Sequence, residues 1–334
     1  MGWKGTVRSL AAAARAAERE HQRHQRALDK QRFADESARF VGAHEGIIER
    51  LTTLHRQVSG SVLDWEAIAA SGGPPAPVRL STHEDKALDR LLGYKPGLWH
   101  RIAGKEAATR TALQLKVAEG RERDSEIYES ELSDHAALAE EAEREADLAR
   151  RVLAGDTDAF EEVLMNYASF DSLEFIGSGI SFDLRREDGA TGADVSVHAK
   201  VSVHSSEIIP AEQHRLLKSG GVSTRPMPKT RFHAIHQDYV CGAALAVASE
   251  VLALFPVGGV IVTAVDDMLN TATGHVEETA ILSIYAPRAT MERLNLYAAD
   301  ASDAMENFLC RMSFLKTKGF KPVEPLGFED LPRA

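Results

Sequence analysis

Cysteine is nearly absent from this chain: Cys241 and Cys310 are the two in 334 residues. So few thiols exclude a disulfide scaffold and point to a reducing, cytoplasmic setting. The opening residues Met1-Gly2-Trp3-Lys4 lead into a charged helix and lack the apolar core of a secretory signal. Phosphate-cradling glycine motifs are missing as well. Gly177-Ser178-Gly179 is too short for a dinucleotide fingerprint, and no glycine-rich loop ends in Gly-Lys-Ser/Thr. Nothing in the chain asks for a cofactor. β-Branched residues are scarce before Gly155, and Val- and Ile-rich runs appear only after it. That change of composition predicts an α+β protein in two parts: an elongated, charged helical region over 1–155, and a mixed-sheet α/β domain over 156–334.

What is present fits an ordinary soluble chain, 44% hydrophobic and 27% charged. A net charge of -11 argues against a generic nucleic-acid binder. The run from Tyr239 to Val265 carries only Glu250 and is long enough to cross a bilayer. Pro256, Gly258 and Gly259 interrupt it, so a buried helix followed by a buried strand is expected, with no membrane partner.

From Thr6 to Val58 there is no proline, which allows a helical rod on the order of 75 Å. Ile47, Leu51, Leu54 and Val58 define one apolar face. The basic residues Arg15, Arg19 and Arg23 lie in a segment with almost no large apolar side chain. A short helix around Trp65, a loop at 71–77 and a capping box at Ser81-Thr82-His83-Glu84 follow. A second long, strongly acidic helix is expected from about Leu98 to Leu153. The two long helices could pair as a coiled-coil-like antiparallel hairpin, with basic beside acidic. Alternatively, the basic segment binds a protein partner or mediates self-association. Nucleic acid is disfavoured because no aromatics are interleaved for base stacking.

In the second part, Val195, Val197, Ala199, Val201 and Val203 alternate with Ser196, His198, Lys200, Ser202 and His204. This predicts a strand buried on one face and antiparallel to the one before it. Further strands are expected at 173–176, 180–184, 260–265 and 279–285. Helices are expected over 156–167, up to Leu217, from Lys229 to Phe255, and at 290–296 and 302–314.

Several constellations could carry chemistry. Asp183 with His198-Ala199-Lys200 is similar to the restriction-endonuclease-like core, in which an Asp and a Glu-x-Lys bind Mg²⁺ and activate water. A metal-dependent nuclease is thus the enzymatic alternative, but His198 stands where the second carboxylate belongs, and imidazole suits Mg²⁺ poorly. His233 and His236 share a helix without an evident third ligand, so no metal site is expected. Cys241 reads as a small hydrophobe. The segment 265–275, following a buried strand and carrying Asp266, Asp267, Asn270 and His275, reads as a loop that is either the best-placed ligand site or a polar connection between neighbouring strands.

The opening Met1–Ser9, Pro228–Phe232, Gln237–Cys241 and Asp303–Phe308 segments resemble a family of uncharacterised bacterial proteins. The resemblance implies bacterial origin and assigns no activity, ligand or site residue.

Overall fold

The computed structural model describes residues 3–57, 62–97, 105–168, 170, 179–186 and 191–331, without the side chains of 3–17 and 206. The chain is an α+β protein with long N-terminal helices and a mixed sheet. It forms two compact units: Met1–Leu63 with Phe160–Ala334, and Asp64–Ala159. One cut, between Ala159 and Phe160, lies close to the expected break at 155/156; the other, between Leu63 and Asp64, was not expected. The first long helix belongs with the sheet, and the second belongs elsewhere, so neither unit contains the expected hairpin of both.

The smaller unit holds α2 (Trp65–Ala70), α3 (Thr82–Leu92) and the 48-residue α4 (Glu106–Leu153). Asp64 caps α2 by accepting from Ala67 N at 2.9 Å. The capping box expected at Ser81 does not form, because Ser81 Oγ turns to Asp85. Asp124, reaching over from α4, accepts from His83 N at 3.0 Å and Glu84 N at 2.9 Å instead. A carboxylate at a helix N-terminus satisfies orphan amides and opposes the helix dipole. Burial pushes the Asp124 carboxyl up, but these donors and the His83 ring outweigh it and hold its pKa below the usual value. Gly120 makes the approach possible, since a Cβ there would stand 2.8 Å from the His83 carbonyl oxygen. Acidic residues of α4 find cations within this unit, as in Glu143 and Asp147 with Arg150.

The larger unit begins with α1 (Trp3–Thr52) and a 3-10 turn at Leu54–Arg56. After α5 (Thr157–Tyr167) come β1 (Ile180–Arg185), β2 (Ser196–Ser202), α6 (Ser205–Ile208), β3 (Glu212–Leu216) and β4 (Val222–Pro226). Then follow α7 (Lys229–Leu254), β5 (Gly259–Leu269), β6 (Val276–Pro287), α8 (Arg288–Met291), α9 (Ala301–Ala304), β7 (Leu309–Leu315) and β8 (Gly319–Lys321). Six strands form one sheet in the order β1-β2-β5-β6-β7-β8, parallel only between β2 and β5. β3 and β4 form a separate hairpin.

The alternation in β2 is as expected, and β1 pairs with it antiparallel. Its apolar residues line up in rows across the sheet: Val197 with Val260 and Ala286, Ala199 with Val262 and Ile284, Val201 with Ala264 and Leu282. The Ala-rich α7 packs against β2, β5 and β6. Its last carbonyls are capped by Arg288, which donates to Leu252 O at 2.8 Å, to Phe255 O, and to Val257 O at 2.9 Å. α7 is the one helix among the described residues long and apolar enough to cross a membrane, and 83% of its apolar window is buried. On its other side α7 receives α1: Leu51 and Leu54 are fully buried, and Gly242 leaves room for Leu54 Cβ and His55. The buried face of α1 runs through Val41, His44, Ile48 and Leu51, whereas Ile47 is 44% exposed. Phe160 stacks on Phe255 with centroids 4.4 Å apart.

Three expected helical or loop segments are strands. The segment ending at Leu217 is β3, because Gly220, at φ 87°, turns the chain back so that β4 can pair with it. The segment Leu309–Leu315 is β7, drawn into the free edge of β6 with Leu282 opposite Met312. Residues 266–269 extend β5, and 276–278 extend β6, leaving only a tight turn between them. The expected strand at 173–176, the start of the second long helix near 98, the Gly177-Ser178 loop and Val58 lie outside the described residues.

Candidate functional site

Three places carry the residues singled out by sequence, and the structure treats each differently. The first is the carboxyl end of β5. Asp266 and Asp267 are strand residues beside a register shift at Ala264/Val265, not loop residues. Asp266 is buried, at 7% exposure, whereas in the turn Asn270 is half-buried and His275 exposed. Asn270 organises that turn by bonding Glu277 and Ala272 N. The four residues therefore do not converge.

Around Asp266 the structure assembles groups that no sequence signal joined. Parallel β2 and β5 end side by side, so the chain leaving β2 meets Asp266. Ser205 Oγ donates to Asp266 Oδ2, and Ser205 N donates to Oδ1 at 3.2 Å. Asp267 N donates to the same Oδ1 at 3.0 Å. His236, on α7, places Nε2 3.5 Å from Oδ2, an electrostatic contact rather than a well-formed hydrogen bond. Burial pushes the Asp266 carboxyl up, but His236 and Ser205 outweigh it and hold it below the usual carboxylate range. A carboxylate standing between serine and histidine is the wrong order for nucleophilic catalysis. There the histidine must take the serine proton. The constellation is a tie: it fastens α6 and α7 to β5. It also holds His204 at φ 40°, a left-handed conformation unfavourable for a residue with a Cβ.

The second place is the face of the sheet opposite α7. Asp183 and His198 are register partners, and Lys200 lies two residues along. This face is not the open, solvated surface that alternation in β2 suggests. The segment after β8 crosses it. Val323 N donates to Ala280 O at 2.9 Å, Leu326 N to Ser283 Oγ at 3.0 Å, and Phe328 stands edge-on to His198 at 6.1 Å. Beneath it runs a polar chain: His198 Nε2 is 2.8 Å from Thr263 Oγ1, which is 2.8 Å from Ser283 Oγ. Burial pushes the His198 pKa down, while Asp183 raises it in part. Lys200 is ion-paired with Glu278 of β6. Among the described residues no group of three or more His, Cys, Asp or Glu side chains could hold a metal ion. His233 packs against Gly319 rather than beside a ligand, and Cys241 is buried 4.0 Å from the Met312 sulfur, where burial pushes its pKa up.

The third place is α1. Because the helix is continuous, positions 19, 23, 26 and 30 fall on one face. That spacing of four, three and four continues through Ala34, Ser37, Val41, His44, Ile48 and Leu51. From Ala34 onward this face is half-buried or buried; every residue of 18–33 is exposed. The face that packs onto the body thus runs on past it as a stripe of Arg19, Arg23, Arg26 and Lys30. Arg15 has the same spacing, and its side chain lies outside the described residues. The overhang starts where the β3–β4 turn touches the helix, with Gly220 against Ala34 and Gly221 against Phe33.

No protein-family model, curated protein or solved structure matches this chain.

A half-buried acid elsewhere gives the larger unit an unusual pH response. Burial pushes the Asp238 carboxyl up to about 6, and Asp300 adds to this, against a hydrogen bond from Ser302. Unfolded, the same group ionises near ~3.9. Between these values the folded state holds a proton that the unfolded state releases, so this contribution to stability falls as pH rises from about 4 through 6. Asp238→Asn keeps the shape and removes the charge. Its melting temperature should match the parent's below about pH 4 and exceed it above pH 6. Equal melting temperatures at pH 7 would show that Asp238 carries no such cost.

Proposed function

We propose that this is a cytoplasmic interaction protein of bacterial origin that docks an acidic protein surface on the exposed basic stripe of α1. The observation that carries the reading is that stripe itself. Arg19, Arg23, Arg26 and Lys30 extend the packing face of α1 beyond the body of its unit. A helix segment without an apolar face gains little from water, and isolated helices are marginal. A partner that supplies carboxylates along the stripe stabilises it through several weak pairs of about 0.2–1 kcal/mol each. Such charges chiefly set association rate and specificity. A second copy of the chain would bring like charge to the same face, which disfavours self-association there. Within 18–32 there is no Phe, Tyr or Trp on which bases could stack.

Charge reversal is the clean test, since deleting α1 would also remove Leu51 from the core. The full chain with Arg19, Arg23, Arg26 and Lys30 all changed to Glu should melt like the parent and lose its partner. Cross-links from the parent should map to an acidic segment of that partner. Retention of the same partner by the reversed chain, or recovery of nucleic acid in its place, would remove the proposal.

A further inference from the structure

A second basic surface lies on the β3–β4 hairpin, and it does not depend on the α1 stripe. The hairpin has two faces. His214 and Thr224, register partners bonded at 2.9 Å, belong to the face turned to α1, where His214 meets Phe40 and His44 edge-on at 4.8 and 4.5 Å. Gln213, Arg215, Ser223 and Arg225 alternate to the opposite face. That face lines a concavity of about 580 Å³ together with His214, Leu216 and Leu217 of the hairpin and Glu45 of α1, and Lys218 at the turn and Arg231 from the start of α7 complete it. Arg231 is steered there by a 3.0 Å bond to Gln213 Oε1.

The charge balance of this hollow is one-sided. Arg215, Lys218, Arg225 and Arg231 line it against a single acid, Glu45. Among the described residues none of the four cations forms an ion pair with a carboxylate. Arg215 pairs with Ser223 and Gln213 with Arg225, so the two arginines are diagonal neighbours across the hairpin. Diagonal positions are about 7–8 Å apart, within reach of each other's long side chains. Like charges so placed repel unless an anion lies between them. Two guanidiniums at that spacing can each fork onto a phosphate, with Ser223 and Gln213 as neutral hydrogen-bonding groups beside them.

We propose that this concavity binds a small polyanion made of two or three linked phosphates. Four cations, one each from β3, the turn, β4 and α7, exceed what one orthophosphate can engage, and the volume falls in the range of small-molecule sites. The anion would dock against the hairpin and the first turn of α7 together, stabilising both.

Calorimetric titration of the full chain with inorganic diphosphate and triphosphate, at fixed ionic strength, tests this. Both should bind at least about tenfold tighter than orthophosphate or sulfate and raise the melting temperature. The Arg215→Ala/Arg225→Ala double variant should lose at least about tenfold in affinity. Ser223→Glu, which adds a carboxylate to the same face, should lose a similar factor. The α1 charge-reversal variant should bind as the parent does, which separates this site from the partner surface. A nucleoside triphosphate arm distinguishes the sources: affinity equal to inorganic triphosphate assigns recognition to the phosphates alone, and higher affinity adds the nucleoside. Affinity for diphosphate no better than for sulfate would overturn the site. So would binding unchanged in both hairpin variants while their melting curves stay parental.

Discussion

Replacing Asp266 by Ala should cost about 3–5 kcal/mol, a fall in melting temperature on the order of 10 °C. The reason is the number of groups left behind. Ser205 Oγ, Ser205 N and Asp267 N all donate to this one carboxylate, and His236 leans on it. Without it the two Ser205 donors remain buried with no acceptor, and each such group costs about 1–3 kcal/mol. The left-handed His204 also loses the contact that holds its neighbour in place. The sign of the pH effect follows from the depressed pKa of Asp266. Its contribution is fully present above the unfolded carboxyl pKa of about 4 and is lost as pH falls through the lower folded value. Asp266→Asn should therefore lose less than Ala and flatten the acid limb of the stability curve. Denaturant titrations of both variants across the acid range measure this. A loss below about 1 kcal/mol for Asp266→Ala would mean the tie is not structural.

The second large effect concerns α1. Leu51→Ala and Leu54→Ala should each cost about 2–5 kcal/mol. Both leucines are fully buried, and Leu54 lies over Gly242 of α7. The same packing predicts the behaviour of fragments. A chain beginning at residue 156 keeps every strand but uncovers α7 where α1 and the 3-10 turn had lain. It should be poorly soluble and bind apolar dyes, whereas adding residues 1–63 in trans should restore a cooperative transition. A soluble, cooperatively folding 156–334 fragment would contradict the assignment of α1 to the sheet unit.

These two predictions sit where sequence and structure part company. Alternation in β2 was legible because a strand packed on one face repeats every two residues. The α7-to-β5 passage was legible because proline and glycine interrupt an otherwise apolar run. Long helices were legible from composition. The cut expected at 155/156 lies four residues from the one between Ala159 and Phe160, but the membership of residues 1–63 was not legible, because helix-forming residues report local conformation and carry no record of what the helix packs against. Leu51 and Leu54 looked like part of an isolated arm, although their burial belongs to α7. β3 and β7 escaped for a related reason: a short polar strand such as Glu212–Leu216 is stabilised by the strand that pairs with it, not by its own propensity.

The candidate sites divide in the same way. The basic spacing at 19, 23 and 26 is a property of the chain, and a continuous helix turns it directly into a stripe. Asp266 was noticed, but Ser205 and His236 come from 61 and 30 residues away and meet it only because β2 and β5 run parallel. Glu278 reaches Lys200 through strand register, which no local pattern encodes. Arg215 and Arg225 become neighbours when Gly220 reverses the chain. The amino-acid order alone settled the long helices α1, α4 and α7, the strand with one apolar face and the position of the basic stripe, since each is set by residues a few positions apart. Tertiary structure decided which carboxylate is buried, which cations share a hollow and which unit owns the first helix, because those depend on contacts between residues far apart along the chain.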